Sequence, residues 1–434
     1  MPETAPQTTT PESRDAVSVE SLAAECATAA RELSTLSTDA KNRVLRRMAD
    51  ELEASTDAIL SANETDMENG REEGLSEALL DRLLLTPERI EKMANALRDV
   101  ASFSDPVGEM SGTRKRPSGI EVGKMRVPLG VIGMIYEARP NVTADAAGLC
   151  FKAGNAVLLR GGSNAFNSNQ AVAAALHRAL EAEDVNPAAV TLIPTTDREA
   201  VQEMLTLNEH IDLIIPRGGE GLIRFVDETS RIPVIKHYKG VCHLYVDDDA
   251  DLEIAEDLLL DGKVSRPSVC NALETMLVHE DVAEDFLPRA QQLLDKSNVE
   301  LRGDERTREI LDGVSEVTED DYAAEYLDLT LAVRVVDSDD TAMNHITEYG
   351  SNHTEVIVTD TLPTARRFVR SIDASVVLVN ASSRFSDGGE LGLGAEIGIS
   401  TTKLHAYGPM GLDALTTEKF VVYGEGETRH DVEK

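Results

Sequence analysis

GVIGMIYEARPNVTADAAGLCFKAGNAVLLRGGS, residues 130–163, decides the fold. It holds an apolar strand at 130–137, a helix-period segment at 143–154 and a second apolar strand at 155–161. The same alternation continues with helix 169–183, strand 189–194, helix 198–207, strand 211–219, helix 220–230 and strand 232–237. Strands of Val, Ile and Leu alternating with amphipathic helices predict a parallel sheet, covered on both faces and joined by right-handed crossovers. Ligands of such sheets bind beyond the carboxyl ends of the strands. The stretches YEARPN (136–141), LLRGGS (158–163) and IIPRGG (214–219) fall at those ends.

Past Asp247 the pattern resumes, with helices at 251–263, 283–296, 341–349 and 361–372 and strands at 272–279, 331–337 and 354–359. This predicts a second α/β unit, with the boundary near YVDDDADLE (245–253). Residues 17–102 carry apolar side chains at three- and four-residue spacing, as in KNRVLRRMADELEAS (41–55), and read as helices. Residues 109–127 alternate polar and apolar around a Pro-Ser-Gly turn, which predicts a β-hairpin suited to subunit contact. The Thr-, Pro- and Glu-rich residues 1–15 form a disordered acidic tail in this reading.

Lys and Arg number 42 against 78 Asp and Glu, a formal net charge of −36 with no compensating basic block. Phosphate-backbone binding needs clustered positive charge, so nucleic acid is not expected as a partner. With 41% hydrophobic residues, the acid belongs on a folded surface, either a hydrated shell adapted to high salt or a face for a basic partner. No stretch reaches the roughly 18 apolar residues of a membrane span, and the N-terminus shows no leader pattern, so a cytoplasmic location without membrane contact is expected. Cys26, Cys150, Cys242 and Cys270 form no C-x-x-C pair and have no nearby His at ligand spacing. That argues against a metal and against a disulfide framework.

Cys270 follows a turn and stands just before a strand in SRPSVCNALETMLVH (265–279). There it is either a buried structural thiol or a nucleophile favoured by backbone amides. Asn141 sits where a strand turns into a helix and is either an N-cap or a donor to an oxyanion. Arg160, Gly161, Gly162 and Ser163, and Arg217, Gly218 and Gly219, combine a guanidinium with glycines that let a backbone approach a phosphate. There is no G-x-G-x-x-G. The long Gly-rich segment from Asn380 onward reads as a functional loop, with Asn380, Ser382, Ser383 and Arg384 as contacts for a small anion or as loop caps. Arg139, Arg266 and Arg384 are equal candidates for a substrate carboxylate.

The blocks at 127–165, 215–219, 232–247, 266–278, 350–359, 380–401 and 408–424 together resemble the aldehyde dehydrogenase superfamily, and within it the reductases of acyl phosphates. The resemblance spans about residues 17–430. It implies a variant Rossmann NADP-binding domain (16–108 and 128–246), a catalytic α/β domain (247–405), and an oligomerisation hairpin (109–127) with a C-terminal strand (406–434). It implies Cys270 as nucleophile, Asn141 as oxyanion donor, Arg160 near the 2′-phosphate of NADP and Glu325 on the nicotinamide ribose. Where hydrolytic members carry a general-base Glu, this chain has KHYKGVC (236–242), with His237 at that place, either structural or in contact with phosphate. Loss of a water-activating base protects a thioacyl intermediate for hydride transfer.

The implied reaction is NADPH-dependent reduction of L-glutamyl 5-phosphate to glutamate 5-semialdehyde, with a homo-oligomer and contact with glutamate 5-kinase as implied assemblies. A different acyl phosphate or an acyl-CoA as substrate, and a non-catalytic partner of the kinase, are the competing readings.

Overall fold

The computed structural model describes residues 18–430. The expected tail at 1–15 therefore lies outside the described residues.

The apolar run VIGMIY becomes the wholly buried strand Val131–Tyr136 at the middle of a four-stranded parallel sheet. Its neighbours are Ala156–Gly161, with Val190–Leu192 beyond it, and Leu213–Arg217 on the other side. Pairing of Tyr136 with both Gly161 and Arg217 brings YEARPN and the two Arg-Gly-Gly turns to one sheet edge. Gly133 leaves room in mid-strand for its neighbours, since a Cβ there would lie 2.5 Å from Ile214 Cδ1 and 2.6 Å from Met204 Cε and would push both side-chain ends aside. The segment 232–237 does not form the strand expected of it. Pro233 has no N–H to give a ladder, and only Val234 bridges, to Ile214.

Helices Val19–Leu33, Thr38–Ala54, Thr56–Glu72, Glu77–Leu83 and Pro87–Ser102 precede this sheet. Ser37, Ser76 and Thr86 each accept a backbone N–H and so set the N-termini of three of them. The apolar faces of all but Glu77–Leu83 join the sheet in one hydrophobic core, which also takes in Ile397, Met410, Leu412 and Leu415 from near the C-terminus, while Leu80 and Leu83 pack with Met67 and Ala165 in a smaller cluster. The buried Lys41–Asp105 pair (2.9 Å) ties the second helix to the segment after the fifth.

The second sheet has seven parallel strands, in the spatial order Ser315–Glu316, Glu300–Gly303, Thr330–Val336, Leu273–His279, Cys242–Val246, Thr354–Val358, Val376–Val379. Successive residues face opposite sides. Leu244, Met276 and Val356 meet helices Leu252–Val264 and Glu280–Asp295, while Tyr245, Leu277 and Ile357 meet Asp339–Tyr349 and Leu362–Ser371. Because Cys242–Val246 belongs to this sheet, the changeover falls before residue 242 and not after 246 as the sequence pattern suggested.

The hairpin is present: Met110–Lys115 pairs antiparallel with Glu121–Pro128. Thr416–Tyr423 pairs with Glu121–Pro128 in the same chain, completing a three-stranded sheet on which Phe420, Val422 and Tyr423 stay exposed. No helix among the described residues is long and apolar enough to cross a membrane.

Candidate active site

Cys270 lies three residues before strand Leu273–His279, in an irregular turn that follows helix Leu252–Val264. The turn is held from several directions. The Cys270 carbonyl accepts a hydrogen bond from Cys242 Sγ (3.2 Å). The next residue, Asn271, donates to the Ser386 carbonyl of the Gly-rich loop (3.0 Å). Gly240 packs so closely that a Cβ on it would lie 1.9 Å from the Cys270 oxygen. Glu325 accepts the Gly240 N–H (2.9 Å) and so fixes that contact. Glu325 thus anchors the turn beside the thiol, whatever else it contacts.

The thiol is not held as a thiolate in this state. Burial pushes it up to about 11, Glu396 and Glu325 push the same way, and the cation of Arg217 opposes them. The expectation that local dipoles favour the thiolate is therefore corrected: desolvation outweighs them. Arg217, read from sequence as a cofactor contact, directs its charge at Cys270, His237, Asp145 and Glu396. It stands among the groups around the nucleophile.

Asn141 begins helix Asn141–Lys152, and its amide donates to Asp145 one turn on (2.8 Å). It serves neither as N-cap, a place taken by Pro140, nor with both amide hydrogens free. Arg139, Asn141 and Asp145 line a cavity of about 530 Å³ together with Arg82, Lys92 and Arg266, and it reaches Ser268 and Val269 just upstream of Cys270. Arg89 at its edge is paired with Asp81 (2.6 Å). Arg82, Lys92, Arg139 and Arg266 form no ion pair within 4.0 Å among the described residues, which leaves Asp145 as the acid among four cations. Burial and the neighbouring charges of Arg217, Arg82 and Arg266 bring Arg139 down to about 10. Burial raises Asp145 to about 6, against hydrogen bonding from Asn141 and the charges of Arg217 and Lys92.

The Gly-rich turns divide. Gly161 faces the protein interior, where a Cβ would lie 2.1 Å from Asn169 Nδ2 and would displace that amide. Gly218 is pressed by Glu137 (2.6 Å), whose carboxylate accepts the Gly219 N–H (3.0 Å) at the start of helix Glu220–Thr229. That carboxylate occupies the place a phosphate would take, so Gly218 and Gly219 do not form the open anion cradle expected of them. Gly162 is pinned by its N–H to the Tyr136 carbonyl (2.8 Å), and Ser163 is exposed at the head of a short 3₁₀ turn. Arg160 donates to the Thr196 carbonyl (2.6 Å), while its buried Nε has no partner.

None of the four loop residues is brought to the cavity. Asn380 makes two hydrogen bonds to the backbone of Thr359 (3.0 and 2.9 Å) and is structural. Ser382 bonds Asp261 (2.5 Å), and Ser383 is buried beside Gly262. Arg384 is absent from the cavity wall, so of the three candidate arginines Arg139 and Arg266 remain.

Arg82, Lys92, Asp145, Gly240, His353 and Glu396 were not singled out from sequence. Asp145 was within reach, four residues past Asn141 on one helix face. Arg82 and Lys92 carry no local signal, being ordinary charges on the N-terminal helices.

The aldehyde dehydrogenase family model matches residues 1–309. Gamma-glutamyl phosphate reductase of Salinibacter ruber is 84% identical over 420 residues, covering 97% of this chain and 96% of that protein. The enzyme of the same name from Xanthomonas campestris pv. campestris is 60% identical, over 95% of this chain and 100% of its own length. The crystal structure of gamma-glutamyl phosphate reductase from Thermotoga maritima superposes with a TM-score of 0.94 at 46% identity, covering 95% of this chain and 100% of that one. An acetylating aldehyde dehydrogenase from Geobacillus thermoglucosidasius shares the fold at 16% identity, with a TM-score of 0.68 over 96% of this chain and 98% of that one.

Proposed function

The chain belongs to the aldehyde dehydrogenase family, in its gamma-glutamyl phosphate reductase branch, and from that premise we propose how its site reduces L-glutamyl 5-phosphate to L-glutamate 5-semialdehyde and phosphate. It is an oxidoreductase of proline biosynthesis, acting on a small molecule in the cytoplasm. The observation that carries the assignment of residues is the cavity beside Cys270, in which, apart from the paired Arg89 and Asp81, the lining brings Arg82, Lys92, Arg139 and Arg266 together with Asp145. The amino-acid end of the substrate carries one carboxylate and one ammonium group. Arg139 and Arg266 take the α-carboxylate, and Asp145 takes the α-ammonium, whose charge holds Asp145 ionised. Arg217, beside the nucleophile, takes the phosphate end.

Cys270 Sγ loses its proton to solvent, and the thiolate attacks the acyl carbon. The C–S bond forms, the carbonyl π electrons move to oxygen, and the oxyanion is met by Asn141 and the Cys270 N–H. Collapse expels phosphate with the C–O electron pair and leaves a thioacyl enzyme. NADPH, when bound, supplies the hydride that reduces this thioester. Breaking of the C–S bond then releases the aldehyde and returns Cys270 as thiolate. His237, kept neutral by burial at about 4 and donating through Nδ1 to the Ile399 carbonyl (3.1 Å), is a poor base for water, so the thioester survives to be reduced.

The residues present fit NADP in one respect that bears on its phosphate: the buried, unpartnered Arg160 Nε is a cationic donor at a strand end. Arg160, with Gly162 and Ser163, would hold the 2′-phosphate side, and Glu325 the nicotinamide ribose. The exposed apolar side chains of Phe420 and Val422 on one face of the hairpin sheet, with Tyr423 on the other, suit a homo-oligomer, and glutamate 5-kinase is the partner that would protect the labile acyl phosphate.

Mixing enzyme with acyl phosphate in the absence of NADPH tests the covalent route. One equivalent of phosphate released in a burst, with substrate mass added on Cys270, supports it. No burst from an enzyme that turns over with NADPH contradicts it.

A further inference from the structure

His237 and His353 approach Cys270 from two different segments, and a ring nitrogen of each lies, with Cys270 Sγ, within 4.8 Å of the others. The rings meet edge to face, with centroids 5.6 Å apart. Both are held in the tautomer that leaves Nε2 with its lone pair. His237 Nδ1 donates to the Ile399 carbonyl (3.1 Å). His353 Nδ1 donates to Thr354 Oγ1 (2.8 Å), whose own hydrogen goes on to Ser386 (2.7 Å). His353 is fully buried, and its Nε2 has no hydrogen-bond partner. A buried lone pair without a donor is an uncompensated cost unless a ligand takes it.

Two neutral imidazoles with fixed second nitrogens, facing a thiol, make the donor set of a borderline-soft cation. We propose that Cys270, His237 and His353 form a reversible Zn²⁺ site that locks the nucleophile as a metal thiolate. Binding forms one Zn–S and two Zn–N bonds and releases the Cys270 proton to solvent; no electrons move, and water fills the fourth position. Tetrahedral Zn²⁺ with Zn–S of about 2.3 Å and Zn–N of about 2.0 Å needs ligand atoms roughly 3.3–3.6 Å apart. Atoms within 4.8 Å of one another need close by at most about 1.5 Å to reach that, a movement the partly exposed Cys270 and His237 side chains can supply. The residues stand far apart in the chain, on the loop after helix Glu220–Thr229, in the turn before Leu273–His279 and just before Thr354–Val358, so no short-range ligand spacing announces them. With its sulfur lone pair committed to the metal, Cys270 cannot attack an acyl carbon.

The experiment is titration of the full-length protein with Co²⁺ and Zn²⁺ in chelator-free buffer. One Co²⁺ per chain is expected, with a thiolate-to-metal charge-transfer band and intense tetrahedral d–d bands, both displaced by Zn²⁺. Zn²⁺ should also block labelling of Cys270 by iodoacetamide, and EDTA should restore it. Cys270→Ala should abolish the charge-transfer band. His237→Gln, on a partly exposed side chain, and His353→Gln should each weaken binding by at least about tenfold. Absence of a stoichiometric thiolate band overturns the proposal, as does a band that both histidine variants leave unchanged at the same affinity. If buried His353→Gln fails to fold, His237→Gln decides.

Discussion

Gly240 lies against the backbone of Cys270 so closely that a single methyl group at residue 240 would fall 1.9 Å from the Cys270 carbonyl oxygen and 2.8 Å from its Cα. Backbone cannot yield as a flexible side chain does, so Gly240→Ala must move the nucleophile's turn or the 240 loop. A displacement of about 1 Å at a reacting centre costs on the order of a hundredfold in rate, and overpacking costs about 1–3 kcal/mol of stability. The variant is expected to keep its fold, with a modestly lower melting temperature, while kcat falls by about two orders of magnitude. Steady-state kinetics beside thermal unfolding checks this.

Cys270 is pushed up to about 11, chiefly by burial. Its ionised fraction therefore rises with pH well past the point where an ordinary thiol has levelled off. Labelling by iodoacetamide should accelerate by about tenfold per pH unit and still be rising above about pH 9. Because the Arg217 cation stabilises the thiolate, Arg217→Gln should slow labelling at any fixed pH in this range. The other three cysteines are buried, so mass spectrometry of native protein reads Cys270 alone.

Asp145 is raised to about 6, mainly by burial. A carboxyl whose folded-state pKa lies above its unfolded value favours folding while protonated, and loses that contribution as pH rises through the folded value. Above about pH 6 the free enzyme thus carries an ionised acid it would prefer neutral. Asp145→Asn should raise the melting temperature near pH 8, with the gain shrinking as pH falls from about 6 towards 4. The same variant should raise KM for the acyl phosphate more than it lowers kcat if Asp145 holds the α-ammonium. An unchanged KM would assign Asp145 to orienting Asn141 alone.

The period of two and the period of 3.6 made most of the fold legible: the strands at 131–136, 156–161 and 273–279 were plain in apolar runs. Cys242–Val246 was not, because CHLYV carries His243, which the sheet buries only by pairing it with Glu355 (2.8 Å) from the neighbouring strand. Glu300–Gly303 is four residues with two charges, too short to show a period. At the site, Cys270, Asn141 and Arg139 stand on turns whose chemistry is local and so was readable. Two of the cavity's cations, Arg82 and Lys92, come from helices before residue 100, and Gly240, His353 and Glu396 arrive from three further segments. Such meetings depend on tertiary packing, which periodicity does not encode. Asn380 failed in the opposite sense: a polar residue in a Gly-rich loop looked like a ligand contact, yet with φ of 51° it spends its amide on the Thr359 backbone.

A formal net charge of −36 on 434 residues sets up self-repulsion that counter-ions relieve. The melting temperature should rise steadily from dilute buffer to molar KCl. A melting temperature independent of KCl over that range would remove the case for a salt-adapted shell.

The most direct test of the whole account runs the reaction backwards, since the acyl phosphate is labile: glutamate 5-semialdehyde and NADP in high salt, with and without inorganic phosphate, followed by nicotinamide absorbance. NADP reduction should depend on phosphate and be lost in Cys270→Ala. Reduction that proceeds equally well without phosphate would mean that water resolves the thioester, contradicting both the acyl-phosphate reductase mechanism and the role given to a neutral His237.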